Sequence, residues 1–211
     1  MDKNQVVEIL NTQVEWLGQS AFRLTMKNSK VIYIDPFRIH RNSPRADYIF
    51  LTHSHGDHYN AGVVQHLKKP ETKIICPVSM PSVGTDLIEV GQERDFGELW
   101  VKGYHAYNQR GFPHSHAKCW LGYLIRFENF SIYHAGDTDS SLEIAGMKPD
   151  LALLPIAGFV TFSIKNGVDA ALKMGAVLTA PIHYGLIPGT KKNGERFAAA
   201  YPGDSVILKK I

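Results

Sequence analysis

The sequence of 211 residues predicts an α+β fold in which two sheets pack together and helices cover their outer faces. Short runs of β-branched and aromatic residues, typical of strands, dominate the first two thirds of the chain. Strand-like and helix-like segments alternate in the last third. The sequence contains no internal repeat and no low-complexity linker. We therefore expect residues 1–211 to form one domain, since this length suffices for a sizeable core.

The first third of the chain consists mainly of predicted strands, at Val14–Trp16, Phe22–Thr25, Val31–Ile34 and Tyr48–Thr52. The fourth of these strands is apolar on both faces, so we expect it to be buried. A helix is predicted from Asn60 to Lys69, because Val63, Val64 and Leu67 share one face and Pro70 ends it.

The rest of the chain mixes both types of element. Further strands are predicted at Lys73–Cys76, Leu99–Tyr104, Trp120–Phe127, Phe130–His134, Leu151–Leu154, Ala176–Ile182 and Val206–Leu208. Helices are predicted in a short segment after Cys76, at Ser140–Met147, in a segment capped by Ser163, and at Gly194–Ala200.

Composition limits the classes of protein to consider. Hydrophobic residues make up 44% and charged residues 20%, which is ordinary for a soluble globular protein. No apolar run approaches the roughly 20 residues of a membrane span, and Met1–Gln5 lacks a signal-peptide pattern. Cys76 and Cys119 are too few for a disulfide framework, so we expect a cytoplasmic protein. A net charge of +3 tolerates an anionic substrate but lacks the basic stripe of a nucleic-acid binder.

The histidines are unevenly distributed, and three of the ten lie within residues 53–58. His53 and His55 point the same way in an extended segment and could bind one ion, and Gly56 allows a turn that brings Asp57 and His58 toward a second position. Imidazoles beside a carboxylate suit Zn²⁺ best, and Mn²⁺, Fe²⁺ or Ni²⁺ as well. The alternative is a hydrophilic loop that contains three histidines by chance.

This motif resembles the signature of the metallo-β-lactamase superfamily, and the resemblance extends over nearly the whole chain. The matching segments are Trp16–Phe22, Ile34–Phe37, Tyr133–Thr138 and Pro181–Gly185. The resemblance implies a four-layer αββα sandwich with metals at one edge of its two sheets. Within the superfamily, the chain looks most like the small stand-alone hydrolases grouped with ascorbate-phosphate lactonase and with the N-acyl-phosphatidylethanolamine phospholipase.

The resemblance also implies roles for individual residues. Asp35 matches a structural carboxylate that supports the metal loop, Asp137 a carboxylate that bridges two metals, and His183 a ligand of the second metal. His134 is interpreted either as a catalytic residue beside the metal ligands and the substrate or as a packing residue. Lys118 could bind a substrate carboxylate or phosphate, although an exposed loop lysine is the equal alternative.

Two positions depart from the pattern of these relatives. Gln19 stands where they usually have His, which puts in doubt a role for this side chain near the site. Asn108 stands where the third histidine of the first metal is usual. We favour His116 as the replacement ligand, with His105 as the second choice. His114 is expected only to line the loop.

These assignments predict a metal-dependent hydrolase in which two ions about 3.5–4 Å apart share Asp137 and activate a water. The resulting hydroxide would attack a small ester, lactone or phosphodiester, while Asp57 orients and ligates. If Asn108 replaces a ligand, a one-metal enzyme is the alternative. Specificity is expected to lie in Gln109–Lys118 and Ile156–Val160, and the segment Arg38–Arg45 is either a solvated loop or a rim that attracts anions.

Two other functions compete with this one. A nuclease or phosphodiesterase of the same fold would normally carry an RNA-binding domain or a basic arm, which 211 residues of modest charge do not accommodate. A non-catalytic metal-binding or redox protein of this fold usually has Glu in place of His55 and a fused flavin domain.

Overall fold

In the computed structural model of the chain, which describes residues 1–186 and 189–211, twelve strands form two six-stranded sheets. The first sheet contains, in spatial order, β1 (Val14–Gly18), β2 (Ala21–Thr25), β3 (Val31–Ile34), β4 (Tyr48–Phe50), β5 (Lys73–Pro77) and β6 (Asp86–Ile88). In this sheet β2 is antiparallel to both of its neighbours, β1 and β3, and β3 to β6 run parallel.

The second sheet consists of the remaining six strands. It contains, in spatial order, β12 (Leu178–Ile182), β11 (Leu151–Pro155), β10 (Phe130–His134), β9 (Leu121–Phe127), β8 (Leu99–His105) and β7 (Glu93–Asp95). The strands β10, β11 and β12 are parallel, so their carboxyl ends meet at one edge of the sheet. The strands β7 to β10 are antiparallel neighbours.

Alternation along the strands produces the layers. Ile32 and Ile34 of β3 face a large core shared with the second sheet, whereas Val31 and Tyr33 face a smaller core on the outer side. The rings of Phe50 and Tyr123 meet between the two sheets, with their centroids 5.4 Å apart. The smaller core includes Val64 and Leu67 of helix α2 (Ala61–Leu67), which therefore covers the outer face of the first sheet.

Two helices, α3 (Ile164–Met174) and α4 (Lys192–Ala200), cover the outer face of the second sheet. Ser163 caps α3 by accepting a hydrogen bond from the N–H of Asn166, as the sequence predicts. The helices and sheets together confirm the predicted four-layer α+β sandwich. No helix within residues 1–186 and 189–211 is both long and apolar enough to cross a bilayer.

Several elements differ from the prediction. Helix α1 (Lys3–Gln13) was not expected, although Asp2 and Gln5 form a capping box at its start. The strands β6 and β7 were also not expected; β7 is fully exposed and therefore carries no apolar alternation. The segment after Cys76, predicted as a short helix, forms turns instead.

The predictions at Ser140–Met147 and Val206–Leu208 are wrong. The first segment forms turns because Gly146 is left-handed and its N–H donates to the carbonyl of Lys173 in α3, not to its own preceding turn. The second forms no strand: isolated bridges lie on either side of it, at Ser205 and Lys210, and the N–H of Val206 donates to the carbonyl of Thr179.

Candidate metal centre

Loops at one edge of the two sheets bring together the histidines and carboxylates of distant segments. The motif His53–His58 follows β4, Asp137 follows β10, and His183 follows β12. His114 lies in the loop between β8 and β9. Strand ends at a common edge provide a rigid frame, so these side chains converge although up to 130 positions separate them (183 minus 53).

The side chains form three overlapping groups with metal-ligand spacing, of which one, His53, His58 and Asp137, links the other two. His53, His55 and His114 make the first, in which Nε2 of His53 lies 3.1 Å from Nδ1 of His55. Asp57, His58 and His183 make the second, in which Nε2 of His183 lies 3.4 Å from Oδ2 of Asp57.

Asp137 lies between the two groups. Its Oδ1 is 3.3 Å from Nε2 of His58, and its Oδ2 is 3.2 Å from Nε2 of His183. The same Oδ2 is 3.3 Å from Nε2 of His114 in the first group. One carboxylate thus reaches both groups of imidazoles at once.

The buried atoms of this cluster fit a divalent cation. His58, His114, Asp137 and His183 are at most 4% exposed. Within the described part of the chain, Nε2 of each of these histidines and Oδ1 of Asp137 have no hydrogen-bond partner. Buried polar atoms are rarely left unsatisfied, and converging imidazole and carboxylate lone pairs are the donor set of transition-metal sites.

The electrostatics of the first group favour the forms that bind metal. Burial lowers the pKa of His53 well below its usual value, and the neighbouring His58 lowers that pKa further. Burial and the nearby His114 also lower the pKa of His55. Both imidazoles are therefore neutral near pH 7, as ligation requires.

The second group is dominated by its carboxylates. Burial raises the pKa of Asp57, but the close approach of His183 and the charge of His58 outweigh it and bring that pKa to about 2. Burial lowers the pKa of His183, but Asp137 and Asp57 outweigh it and raise that pKa to about 9. The carboxylates are thus ionised, and a bound cation would displace the proton from this imidazole.

Asp35 and Thr52 hold the motif from behind. Oδ1 of Asp35 accepts a hydrogen bond from the N–H of Thr52 at 2.8 Å, and Oδ2 accepts one from the Thr52 hydroxyl at 2.7 Å. The same Oδ2 lies 2.7 Å from Nδ1 of His58, and the Thr52 oxygen lies 2.9 Å from Nδ1 of His53. With their Nδ1 atoms held in this way, both imidazoles turn Nε2 toward the cluster.

The side chain of Gln19 lies against His183, although the sequence comparison with relatives put in doubt a role for Gln19 near the metal site. Its side-chain amide nitrogen is 3.2 Å from Nδ1 of His183, and its backbone carbonyl accepts a hydrogen bond from the backbone N–H of His183 at 3.1 Å. Both residues have positive φ, 55° and 56°, and Gln19 is 2% exposed. The amide therefore fixes the orientation of this imidazole from the side away from Asp137.

His114 occupies the place expected for His116 or His105, and Asn108 supports it. Oδ1 of Asn108 accepts a hydrogen bond from Nδ1 of His114 at 2.7 Å, and Nδ2 donates to the carbonyl of Val160 at 3.0 Å. The N–H of Asn108 also donates to the carbonyl of His114 at 2.8 Å, which closes the loop. These bonds turn the ring of His114 inward, so the expectation that it only lines the loop is corrected.

The structure does not bring His116 or His105 to the cluster. Ser115 caps a single 3₁₀ turn, His116–Lys118, which carries His116 to the surface. Nε2 of His105 is bonded to the carbonyl of His116 at 3.0 Å, and the two rings pack with their centroids 4.0 Å apart. The residue that completes the first group could have been found only from the pairing of Asn108 with His114, which depends on how the loop folds.

His134 and Lys118 also lie outside the two groups. Nε2 of His134 is 2.9 Å from the carbonyl of Ser20, and Nδ1 accepts from the N–H of Gly136 at 3.2 Å. Both ring nitrogens of this fully buried residue are thus bonded to backbone, as the packing interpretation requires, and leave none for a substrate. Lys118 is exposed and lies 5.9 Å from the centroid of Trp120, whose ring packs against His53 and His55.

Two facing sheets with outer helices and a buried group of imidazoles and carboxylates at one edge define a protein of the metallo-β-lactamase fold. The family model described as Beta-lactamase superfamily domain matches residues 13–183, and the chain belongs to this family and to its metal-dependent hydrolases. A UPF0173 metal-dependent hydrolase of Archaeoglobus fulgidus is 30% identical over 89% of this chain and 90% of its own length. A protein of the same name from Geobacillus thermodenitrificans is 30% identical over 90% of this chain and 93% of its own.

Solved structures agree on the fold. A candidate metal-dependent hydrolase from Parabacteroides distasonis superposes with a TM-score of 0.81 at 26% identity and covers 93% of each chain. The metallo hydrolase Igni18 from Ignicoccus hospitalis superposes with a TM-score of 0.76 at 19% identity, covering 94% of this chain and 95% of its own. The expected resemblance to the superfamily and the αββα fold are both confirmed.

Proposed function

We propose that this chain hydrolyses a small ester, lactone or phosphodiester with two divalent cations bound at the cluster. The observation that carries the proposal is the position of Asp137, whose carboxylate reaches imidazoles of both groups while its Oδ1 has no hydrogen-bond partner among the described residues. A buried carboxylate between two sets of imidazoles is the arrangement that two neighbouring cations require.

The ligand sets follow from the two groups. His53, His55 and His114 would hold one ion. Asp57, His58 and His183 would hold the other, and Asp137 would serve both. Zn²⁺ is the first choice for sites rich in imidazole, and Mn²⁺, Fe²⁺ and Ni²⁺ accept the same donors.

Bound cations of this kind supply a Lewis acid for a substrate oxygen and an activated water near neutral pH. The chain itself supplies orientation and shielding. Trp120 packs on the rings of His53 and His55, with centroid distances of 4.7 Å and 4.8 Å, and keeps water from that side. Asp57 has 39% of its side chain accessible, so the centre is open to solvent on this side.

A screen of chromogenic substrates tests this proposal. The metal-free protein is reloaded with Zn²⁺, Mn²⁺, Ni²⁺ or Fe²⁺ and assayed with nitrophenyl esters, lactones and bis(4-nitrophenyl) phosphate. Asp57→Ala should abolish metal-dependent turnover while the circular dichroism spectrum is retained, because the substitution removes a ligand at an open face. The control is Asp169→Ala, which removes an exposed carboxylate on α3 paired only with Lys165.

The expected result is hydrolysis that depends on added metal and is lost in Asp57→Ala but kept in Asp169→Ala. A kcat close to the unsubstituted value in Asp57→Ala would contradict the assignment. Turnover confined to bis(4-nitrophenyl) phosphate would favour a phosphodiesterase, and visible absorbance of the purified protein would favour a redox protein.

A further inference from the structure

A cavity of about 460 Å³ opens beside the metal-binding loop. A volume of this order suits a small ligand. The residues that line the cavity include Gln19, Phe37, Arg38, Asp57 and Asn60. Asp57 belongs both to this cavity and to the second group of proposed ligands, so a molecule in the cavity lies against the centre.

Arg38 is the cation of this cavity and has no acidic partner. Within the described residues, no carboxylate lies within 4.0 Å of its guanidinium, although other basic residues such as Arg23 and Lys69 form ion pairs. Its guanidinium carbon lies 5.5 Å from the centroid of the Phe37 ring, which supports the side chain from one side. An exposed guanidinium supported by an aromatic ring and free of carboxylates is suited to bind an anionic oxygen group.

Asn60 adds an N–H donor to the cavity. Oδ1 of Asn60 accepts a hydrogen bond from the N–H of Val63 at 3.2 Å, so the Asn60 amide nitrogen remains available to donate. With a cation on Nε2, His183 keeps its proton on Nδ1 and donates it to the amide oxygen of Gln19. A half-turn of that amide makes this bond and puts its nitrogen at the buried position of Oε1, so Gln19 serves His183 and not a ligand in the cavity.

The negative charge of Asp57 does not oppose an anion strongly. Its carboxylate lies 3.4 Å from Nε2 of His183 and 3.9 Å from Nε2 of His58, so imidazoles or a bound cation offset it. Arg38 also lines an adjoining cavity with Lys210, His40 and the last residue, Ile211, whose terminal carboxylate is not within 4.0 Å of the Arg38 guanidinium among the described residues.

We propose that Arg38 binds an anionic oxygen group, a carboxylate or a phosphate, carried by the substrate whose reacting bond lies at the metal centre. The inference rests on the proposed function and names the substrate class as an anionic ester, lactone or phosphodiester. It places recognition of the charged group on the Arg38 side of the centre and not at Lys118, which lies above Trp120.

Equilibrium binding to the zinc-loaded protein separates this inference from the proposed function. Calorimetric titrations use three acids with the same spacing: propionate, which has one anionic end, succinate, which adds a second carboxylate, and 3-phosphonopropionate, which adds a phosphonate. Each acid is titrated into the unsubstituted protein, Arg38→Gln, Lys118→Gln and the matched control Arg45→Gln. Arg45 belongs to the same exposed segment but does not line the cavity.

The expected result is that Arg38→Gln weakens the binding of succinate or 3-phosphonopropionate about tenfold, while the affinity for propionate changes less than about twofold. The acid that responds more strongly identifies the group as carboxylate or phosphate. Arg45→Gln and Lys118→Gln should change none of the three affinities by more than about twofold. The inference would be overturned if Arg38→Gln weakened the binding of all three acids equally or of none. It would also be overturned if neither doubly anionic acid bound to the unsubstituted protein, or if Arg45→Gln or Lys118→Gln weakened binding as much as Arg38→Gln.

A failure of the proposed function has a different signature. The unsubstituted protein would then hydrolyse no ester, lactone or phosphodiester with any of the four metals, whatever the titrations show. Where hydrolysis occurs, the ratio of kcat/KM for 4-nitrophenyl hemisuccinate to that for 4-nitrophenyl acetate should fall about tenfold in Arg38→Gln if the group is a carboxylate.

Discussion

Replacing Asn108 by Ala should weaken metal binding without touching a proposed ligand. Asn108 is 2% exposed, and its Oδ1 accepts hydrogen bonds from Nδ1 of His114 at 2.7 Å and from the backbone N–H of His114 at 3.3 Å. Without this oxygen, the ring of His114, itself 1% exposed, loses the contact that fixes its orientation. Loss of such a supporting contact costs about 10- to 100-fold in metal affinity, or about 1.4–2.7 kcal/mol.

The assay is competition for Zn²⁺ with a chromophoric chelator, together with urea unfolding of the metal-free protein. Asn108→Ala should also lower the free energy of unfolding by about 1–3 kcal/mol, because buried donors lose their acceptor. The control is Asn193→Ala, since Nδ2 of Asn193 likewise donates to a carbonyl of the neighbouring loop, that of Ile156, at 2.9 Å but contacts no proposed ligand. An unchanged zinc affinity in Asn108→Ala, or an equal loss in Asn193→Ala, would refute the assignment of His114.

Three further predictions concern the ligands, the residue behind His183, and stability against pH. His114→Ala should lose one bound ion, whereas His116→Ala should keep the full metal content measured by elemental analysis, and the reverse pattern would restore the original assignment. Gln19→Ala should weaken binding of the second Zn²⁺ about 10- to 100-fold in the same chelator competition. Gln19→Glu should recover part of this affinity, because a carboxylate oxygen, like the amide oxygen of Gln19, can accept the proton on Nδ1 of His183. Equal zinc affinities in the unsubstituted protein and both variants would contradict this prediction. Burial raises the pKa of Asp47, but the hydrogen bond from Lys69 at 2.7 Å helps to hold that pKa below its usual value. The stabilisation is therefore present above about pH 4 and is lost as the pH falls through the lower folded-state pKa, so Asp47→Asn should cost about 1 kcal/mol in urea unfolding at pH 7 and less at pH 3. If Asp47→Asn lowered the free energy of unfolding equally at pH 7 and pH 3, the predicted direction of the pH dependence would be wrong.

The local part of the site could be predicted from the sequence, because His53, His55, Asp57 and His58 lie within six positions. Strand parity and one glycine turn are enough to bring such residues together. The sequence also contained His105, His114 and His116 within one segment, and nothing in their spacing ranks them. The choice depends on the hydrogen bond between Asn108 and His114, which forms only when the loop closes.

The errors in secondary structure have a similar origin. The apolar spacing of Ser140–Met147 fits a helix, but the N–H groups of Gly146 and Lys148 donate to carbonyls of α3, so tertiary contacts decide the conformation. The core strands β3 and β10 were predicted with the observed bounds, since their apolar runs are buried whatever the partner. The single domain over residues 1–211 and the cytoplasmic location stay predictions from composition.

Metal analysis of protein purified without chelators, followed by titration of the metal-free form with Zn²⁺, Mn²⁺, Ni²⁺ and Fe²⁺, tests the central claim most directly. We expect two divalent ions per chain at saturation, because two groups of ligands share Asp137. A single bound ion per chain would mean that Asp137 does not serve two cations and that the protein is a one-metal enzyme. Protein that contains no transition metal and binds none on titration would contradict the account as a whole.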